Sequence, residues 1–185
     1  VVIAYGQKLG RPLLEGIFAI NLHASLLPRW RGAAPIHAAV LAGDSVTGNC
    51  VITLADRMDA GEILGRTQRP IEPHQTSGDL HTLLAEDGPA LVEHVLQAFA
   101  GGSLDRQPQD ESQVTIAPKL SPADGWVDFA VTAEHARRRI NGLSPTPGTT
   151  VRFRGEPLKL LRAAVGEHLE SAAPGSILDP KLGLI

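Results

Sequence analysis

Residues 20–40 read INLHASLLPRWRGAAPIHAAV, and this stretch decides the fold. It begins inside a short apolar run, GIFAIN at 16–21, which is typical of a strand buried on both faces. It ends in APIHAAVLAG at 34–43, whose apolar spacing predicts a helix that stops at Gly43. A strand that leads through a loop into a helix is the repeating unit of an α/β sheet.

The neighbouring sequence repeats this alternation. VVIAY at 1–5, TGNCVITLA at 47–55 and EILGRTQRPI at 62–71 are predicted strands, and the polar residues of the last one place it near an edge. A short helix is predicted at 11–15 and a long one at 76–100, where Thr76 and Asp79 form a capping box. We therefore predict an open, mostly parallel, Rossmann-like sheet over residues 1–102.

The chain changes character after residue 102. Residues 103–118 are polar and without periodicity, which predicts a linker. Beyond it, GWVDF at 125–129 reads as a strand, TAEHARRRINGL as a helix ending at Gly142, and residues 149–165 as a hairpin that turns at Gly155 and Glu156. This pattern predicts a small β-rich second domain at 119–185.

Composition limits the class of protein. The 185 residues are 43% hydrophobic and 20% charged, as in an ordinary globular chain. No apolar run is long enough to span a membrane, and no secretion signal is recognisable. One cysteine, Cys50, excludes an internal disulfide and fits a cytoplasmic location.

The two ends suggest a partial chain. The sequence opens without Met inside a strand pattern and closes on KLGLI without a helix stop. We expect a fragment that lacks its N-terminal part and the end of its second domain. Alone, such a fragment is expected to be inactive or poorly folded.

Charge is unevenly distributed along the chain. Residues 1–118 carry 8 Lys/Arg against 13 Asp/Glu, whereas residues 119–162 carry 8 against 4. A basic segment in an acidic chain could bind an anionic partner such as nucleic acid, or could be a solvated helix face.

Asn21 and His23 lie at the end of the predicted strand at 16–21. Side chains two residues apart on a strand share one face, and ligands of α/β sheets bind at strand ends. An amide and an imidazole together suit a carbonyl reaction, since the amide donates to an oxyanion and the imidazole handles protons. The alternative is a turn asparagine beside a histidine with an ordinary structural hydrogen bond.

Asp59 lies in MDAGEIL at 58–64, between two predicted strands. A carboxylate brought to an imidazole can fix its tautomer and relay a proton. The alternative is an aspartate that only stabilises a turn.

These motifs carry a resemblance to a known family. NLHASLLPRWRGAAPI at 21–36, followed by MDAGEIL, resembles the Asn-x-His, Ser-Leu-Leu-Pro and Asp-x-Gly signature of the folate-dependent formyltransferases. The resemblance runs to about Val165 and includes QDESQVTIAPKL at 109–120. RWRGAAPI and A-x-K-L are typical of the members that formylate methionyl-tRNA. Ala24 and Glu62 differ from many relatives, which have Gly and Asp there.

The resemblance implies the reaction and the residues that perform it. It implies formyl transfer from 10-formyltetrahydrofolate to the amino group of methionine on initiator tRNA, in translation initiation, by a cytoplasmic, monomeric enzyme without a metal. Asn21, His23 and Asp59 match the catalytic trio. The residues that it places at the folate are Ser25, Leu26, Leu27, Pro28, Tyr5, Gly6, Ala55, Asp56, Arg57 and Met58.

The basic residues are the candidates for tRNA contact. By the resemblance, residues 119–185 correspond to an incomplete domain like the oligonucleotide-binding (OB) barrel. Trp30 could instead be a core anchor, with one neighbouring arginine paired to a carboxylate. The candidates are Arg29, Trp30, Arg31, Lys119, Arg137, Arg138, Arg139, Arg152, Arg154 and Lys159.

Two other functions compete with this one. The first is another enzyme of the superfamily: a UDP-aminosugar formyltransferase, the hydrolase domain of formyltetrahydrofolate dehydrogenase, or a glycinamide ribonucleotide formyltransferase. The second is a non-catalytic RNA-binding module that uses only the basic segment.

Overall fold

A computed structural model describes residues 1–3, 9–166 and 173–177. Residues 4–8 are outside this range, so the predicted site residues Tyr5 and Gly6 are not placed. The elements of residues 1–102 are β1 (Val2–Ile3), α1 (Arg11–Leu14), β2 (Ile20–His23), β3 (Arg31–Gly32), α2 (Pro35–Ala42), β4 (Val46–Thr47), β5 (Cys50–Thr53), β6 (Ile63–Arg66), β7 (Arg69–Pro70) and α3 (Ser77–Ala100).

The main sheet is mixed. Its four described strands lie in the order β1, β2, β5, β6. The pair β1–β2 is parallel, whereas β2–β5 and β5–β6 are antiparallel. The prediction of a mostly parallel sheet is therefore wrong for these strands. A short loop joins β5 directly to β6, and without a crossover the two strands must run in opposite directions. β6 is an edge strand, as expected from its polar residues.

The helices follow their sequence signals. α2 begins at Pro35 and ends before Gly43, which has a left-handed φ of 76°. The capping box at the start of α3 is confirmed: Thr76 accepts from the Asp79 N–H, and Asp79 accepts from the Thr76 N–H. One face of α3 packs on the sheet, where Leu91 and Val95 join Ile20 in a buried cluster. Among the described residues, no helix has the length and apolarity needed to cross a bilayer.

Residues after 102 contain fewer elements. They are a 3₁₀ turn (Glu111–Gln113), β8 (Ile116–Ala117), a second 3₁₀ turn (Pro122–Asp124), α4 (Ala133–Leu143), β9 (Thr149–Phe153) and β10 (Glu156–Leu160). The strand predicted at 125–129 is wrong, since it forms no ladder and its Trp126 is 53% exposed. The helix and the hairpin are confirmed. The hairpin turns one residue earlier than predicted, at Arg154 and Gly155, which both have positive φ.

Residues 107–117 are hydrogen-bonded to the first part of the chain at both ends. Gln107 forms an isolated bridge with Ile63, and β8 pairs in parallel with β3. This segment therefore reaches both loops that follow β2 and β5. α4 packs against α2, and the β9–β10 hairpin forms a separate two-stranded sheet. The described residues of 119–185 do not form a closed barrel.

Candidate active site

β2 presents Asn21 and His23 on one face of the sheet. Leu22, between them, points to the other face and packs on α3, where a Cβ at Gly88 would lie 2.7 Å from its side chain. β2 lies between β1 and β5, so both side chains are held by a strand paired on each edge. His23 is 6% exposed. Asn21 is half-buried, and its amide forms no hydrogen bond with another residue that the structure describes.

A backbone carbonyl sets the proton position on His23. The His23 Nε2 lies 2.8 Å from the carbonyl oxygen of Trp30. A carbonyl oxygen only accepts, so Nε2 must carry the hydrogen of this bond. We therefore assign the proton of neutral His23 to Nε2, which leaves Nδ1 as the nitrogen that can take up a proton.

Asp59 faces this Nδ1. It lies in the loop between β5 and β6, as the sequence predicted, in a left-handed conformation with φ 52° that aspartate tolerates. Its Oδ2 is 3.7 Å from Nδ1 of His23 and accepts a 2.8 Å hydrogen bond from the Gly32 N–H. The two side chains are only 7% and 13% exposed. A proton on Nδ1 would therefore be stabilised by the nearby Asp59 carboxylate, because the site is poorly hydrated and charges interact strongly there.

Glycine is required at Gly32. It has a φ of 123°, and a Cβ there would lie 2.4 Å from the carbonyl oxygen of Ala117. Only a residue without a side chain allows β3 to approach β8 so closely and still direct its N–H to Asp59. The glycine after RWR is therefore part of the site.

The residues predicted to contact folate fall into two groups. The loop 25–28 is largely internal: Ser25 is fully buried and donates to the carbonyl of Arg29 at 2.7 Å, and Leu27 packs with Ile52 and Ile63. Residues 55–58, beside Asp59, are exposed, with Met58 73% exposed. The first group shapes the site from within, and the second offers a surface next to it.

The basic loop after β2 is tied to the protein itself. Asp44 accepts hydrogen bonds from Arg29 and from Nε1 of Trp30, each 2.7 Å long, and the Arg29 guanidinium lies 4.8 Å from the Trp30 ring. Arg31 is 4% exposed and donates to Gln109 and Glu111. Its hydrogen bond holds the pKa of the Glu111 carboxyl below its usual value. These contacts favour the structural alternative for Trp30 and Arg31.

The basic residues of the second part are also partly engaged. Arg137 and Arg138 both donate to Glu134 on α4. The Arg139 guanidinium lies 4.0 Å from the Trp126 ring. The candidates exposed to solvent are Lys119, Arg152, Arg154 and Lys159.

Comparison with known families agrees with this geometry. The family model described as Formyl transferase matches residues 1–96, more than half of the chain. The chain belongs to the formyl transferase family. A second model, described as Formyl transferase, C-terminal domain, matches residues 119–185.

Curated relatives in this family match almost the whole chain. Methionyl-tRNA formyltransferase of Acidiphilium cryptum is 46% identical over 100% of this chain and 60% of its own length. The enzyme of the same name from Symbiobacterium thermophilum is 42% identical over 96% of this chain and 56% of its own. The chain thus spans about three fifths of the length of these relatives.

Two solved structures share the fold. HypX from Aquifex aeolicus, in complex with tetrahydrofolic acid, superposes with a TM-score of 0.75 at 19% identity, covering 95% of this chain and 31% of that one. A 4-N formyltransferase from Francisella tularensis gives a TM-score of 0.74 at 16% identity, covering 88% and 70%. At these identities the likeness concerns the fold alone.

Several groups of this candidate site were missed in the sequence. They are the Trp30 carbonyl, the Gly32 N–H, and the side chains of Gln109 and Glu111. Backbone groups carry no residue-type signal, so the first two could not be identified. Gln109 and Glu111 lie in QDESQ, within the stretch that resembles the family, but their polarity predicted only a linker.

Proposed function

We propose that the protein containing this chain transfers a formyl group from 10-formyltetrahydrofolate to the amino group of methionyl initiator tRNA, in the cytoplasm and as a monomer. The observation that carries the proposal is the convergence of Asn21, His23 and Asp59, with Asp59 Oδ2 3.7 Å from His23 Nδ1. The choice of substrate rests on the curated methionyl-tRNA formyltransferases, which match this chain at 46% and 42% identity.

The trio supplies what an acyl transfer to an amine needs. As the amine attacks the formyl carbon, the carbonyl oxygen gains negative charge. The Asn21 N–H groups can donate to that oxygen, and such donors typically change kcat by about 10²–10³-fold. His23 takes the amine proton at Nδ1, because Nε2 already carries its hydrogen toward Trp30. Asp59 then stabilises the imidazolium, which can return the proton to the leaving nitrogen of the folate.

The remaining assignments belong to the same proposal. The exposed residues 55–58 beside Asp59 would hold the folate, with the loop 25–28 supporting the pocket from within. Residues 119–185 would belong to an OB-like domain, whose exposed Lys119, Arg152 and Arg154 would contact tRNA phosphates. No step of this mechanism calls for a metal.

Single substitutions in the full-length protein test the proposal. Asn21→Ala, His23→Ala and Asp59→Ala should each lower kcat for formylation of methionyl initiator tRNA by about 10²-fold or more, while tRNA affinity changes less than about twofold. His37→Ala is the matched control, since His37 also bonds to a carbonyl, that of Thr146, outside the site. It should keep full activity.

The substrate is tested separately. The unmodified protein should formylate methionyl initiator tRNA and leave an amino-sugar nucleotide unchanged. Activity on the sugar alone would assign the protein to the other branch of the family. Full transfer activity in all three alanine variants would support the non-catalytic RNA-binding function instead.

A further inference from the structure

The Gln109 side chain connects the two loops that complete the candidate active site. Its Nε2 donates to the backbone carbonyls of Asp59 and Gly61, at 2.7 and 2.8 Å. Its Oε1 accepts from Nε and Nη2 of Arg31, at 3.0 and 2.8 Å. One amide therefore joins the loop that carries Asp59 to the loop that carries the Trp30 carbonyl and the Gly32 N–H.

The chemistry of the partners fixes the orientation of this amide. Carbonyl oxygens only accept hydrogen bonds, and a guanidinium only donates. A flipped amide would place its oxygen against two carbonyls and its NH₂ against Arg31, which would lose all four bonds. The side chain is therefore locked in one orientation and uses both of its N–H groups.

The surrounding contacts hold both ends of this connection in place. Arg31 is 4% exposed, and its guanidinium also donates to Glu111 at 2.8 Å. Gln109 is half-buried, whereas its neighbours Pro108 and Asp110 are exposed. The β3–β8 pairing then fixes residues 116–117 against the same loop.

We propose that Gln109 is a positioning residue: it sets the distance between the Asp59 carboxylate and His23 by holding the Asp59 loop against Arg31. This inference rests on the proposed formyl transfer for its kinetic consequence, but the geometric claim is independent of the activity. The Asp59 carboxylate reaches both Nδ1 of His23 and the Gly32 N–H only while the two loops keep their spacing. Gln109 contacts no reacting atom.

Gln109→Glu tests the claim in the full-length protein. It keeps the side-chain length and the acceptor for Arg31 but removes both N–H donors, and it sets a carboxylate against two carbonyls. Hydrogen exchange at the Gly32 amide and at residues 59–61 should rise by about tenfold or more, while exchange in α3 stays unchanged. Gln107→Glu is the matched control: Gln107 is exposed, and within the described part of the chain its side chain hydrogen-bonds only to Asp105.

Kinetics give the second readout. Gln109→Glu and Gln109→Ala should lower kcat for formyl transfer by about 10- to 100-fold, with KM within about twofold, because catalysis is sensitive to displacements near 1 Å. In an Asp59→Asn background, Gln109→Glu should cause no further loss, since the group that it positions is already removed. A purely structural role would lower kcat by the same factor in both backgrounds.

Each outcome decides one of the two proposals. The role of Gln109 would be overturned if Gln109→Glu left hydrogen exchange at Gly32 and at 59–61 unchanged. It would also be overturned if Gln109→Glu lowered kcat further in the Asp59→Asn background. Unfolding of both Gln109 variants, while Gln107→Glu folds, would also overturn it, because Gln109 would then serve the whole fold. Absence of formyl transfer in the unmodified protein would overturn the proposed function, and hydrogen exchange would still decide the positioning claim.

Discussion

Trp30 is the residue on which the geometry of His23 depends. Its φ of 63° is left-handed, a conformation that costs a bulky residue about 1–3 kcal/mol and persists only where the surroundings enforce it. Three bonds enforce it here: its N–H donates to Thr115 Oγ1, its Nε1 donates to Asp44, and its carbonyl accepts from His23. The strained residue delivers the carbonyl that sets the histidine tautomer.

Thr115→Val tests this dependence on one hydrogen bond. The substitution keeps the side-chain shape but leaves the Trp30 N–H without its acceptor, at 2.9 Å in the structure. Urea unfolding should show a stability loss of about 1–2 kcal/mol. Thr149→Val is the matched control, because the buried Thr149 hydroxyl has no partner among the described residues. That change should be neutral or slightly stabilising, and equal losses in the two variants would contradict the interpretation.

At the scale of residues, the sequence predicted where the candidate site residues lie, but it did not predict their hydrogen-bond partners. Asn21 and His23 were predicted to share a face from strand periodicity, and Asp59 to lie in the loop between two strands. The 3.7 Å approach of Asp59 to His23 depends on how two loops cross, which no local pattern encodes. The sequence suggested that a carboxylate would fix the tautomer of His23. In the structure, the backbone carbonyl of Trp30 fixes it by accepting from Nε2.

Among the elements, α4 contains a charge cluster whose contribution to stability depends on pH. Glu134, in its first turn, accepts from Nε and Nη2 of Arg137 and from Nε of Arg138. The hydrogen bonds from Arg137 and then from Arg138 lower the pKa of Glu134 to about 2. Because the unfolded carboxyl has a higher pKa, of about 4.3, protonation favours unfolding.

Glu134→Gln should therefore lower the free energy of unfolding at neutral pH but not in acid. The carboxylate's contribution is complete above about pH 5 and is lost as pH falls toward 2. Since the side chain is 42% exposed, solvent screening limits the contribution to about 1 kcal/mol or less. Unfolding free energies should differ between the two proteins at pH 7 and converge near pH 2.5. Glu156→Gln, on exposed β10, should show no such difference, and a gap that widens in acid would refute the assignment.

The elements were predicted with uneven success for physical reasons. α3 and the hairpin carry strong local signals, a capping box and a two-residue turn, and both formed, with the hairpin turn one residue earlier than predicted. The direction of β5 was not encoded in its own residues, since an apolar strand fits a parallel or an antiparallel neighbour equally well. The alternation of apolar residues at 125–129 predicted a strand that does not form. Trp126 lies outside the core and packs against Arg139.

Across the whole molecule, residues on both sides of 103–118 are joined by buried contacts. The Ser77 hydroxyl, at the start of α3, donates to the carbonyl of Gly142 at the end of α4. Asn141 is fully buried, and its Nδ2 donates to the carbonyl of Pro73 at 3.4 Å. A Cβ at Gly142 would lie 2.8 Å from the Leu41 side chain, so α4 and α2 pack closely. The two predicted domains therefore share an interface, although their boundaries stay a prediction.

These contacts predict one cooperative unfolding transition for the two parts. Disrupting α4 would expose the faces of α2 and α3 that pack on it, so neither part should persist without the other.

The two tryptophans report on the two parts separately: Trp30 lies in the first part and Trp126 in the second. In protein labelled with fluorotryptophan, the ¹⁹F resonances of Trp30 and Trp126, assigned by Trp30→Phe and Trp126→Phe, should disappear at the same urea concentration. Gly142→Val, which would push α4 away from Leu41, should lower the urea midpoint of both resonances together. Two separate midpoints in the unmodified protein would mean that the parts fold independently and that their interface contributes little to stability.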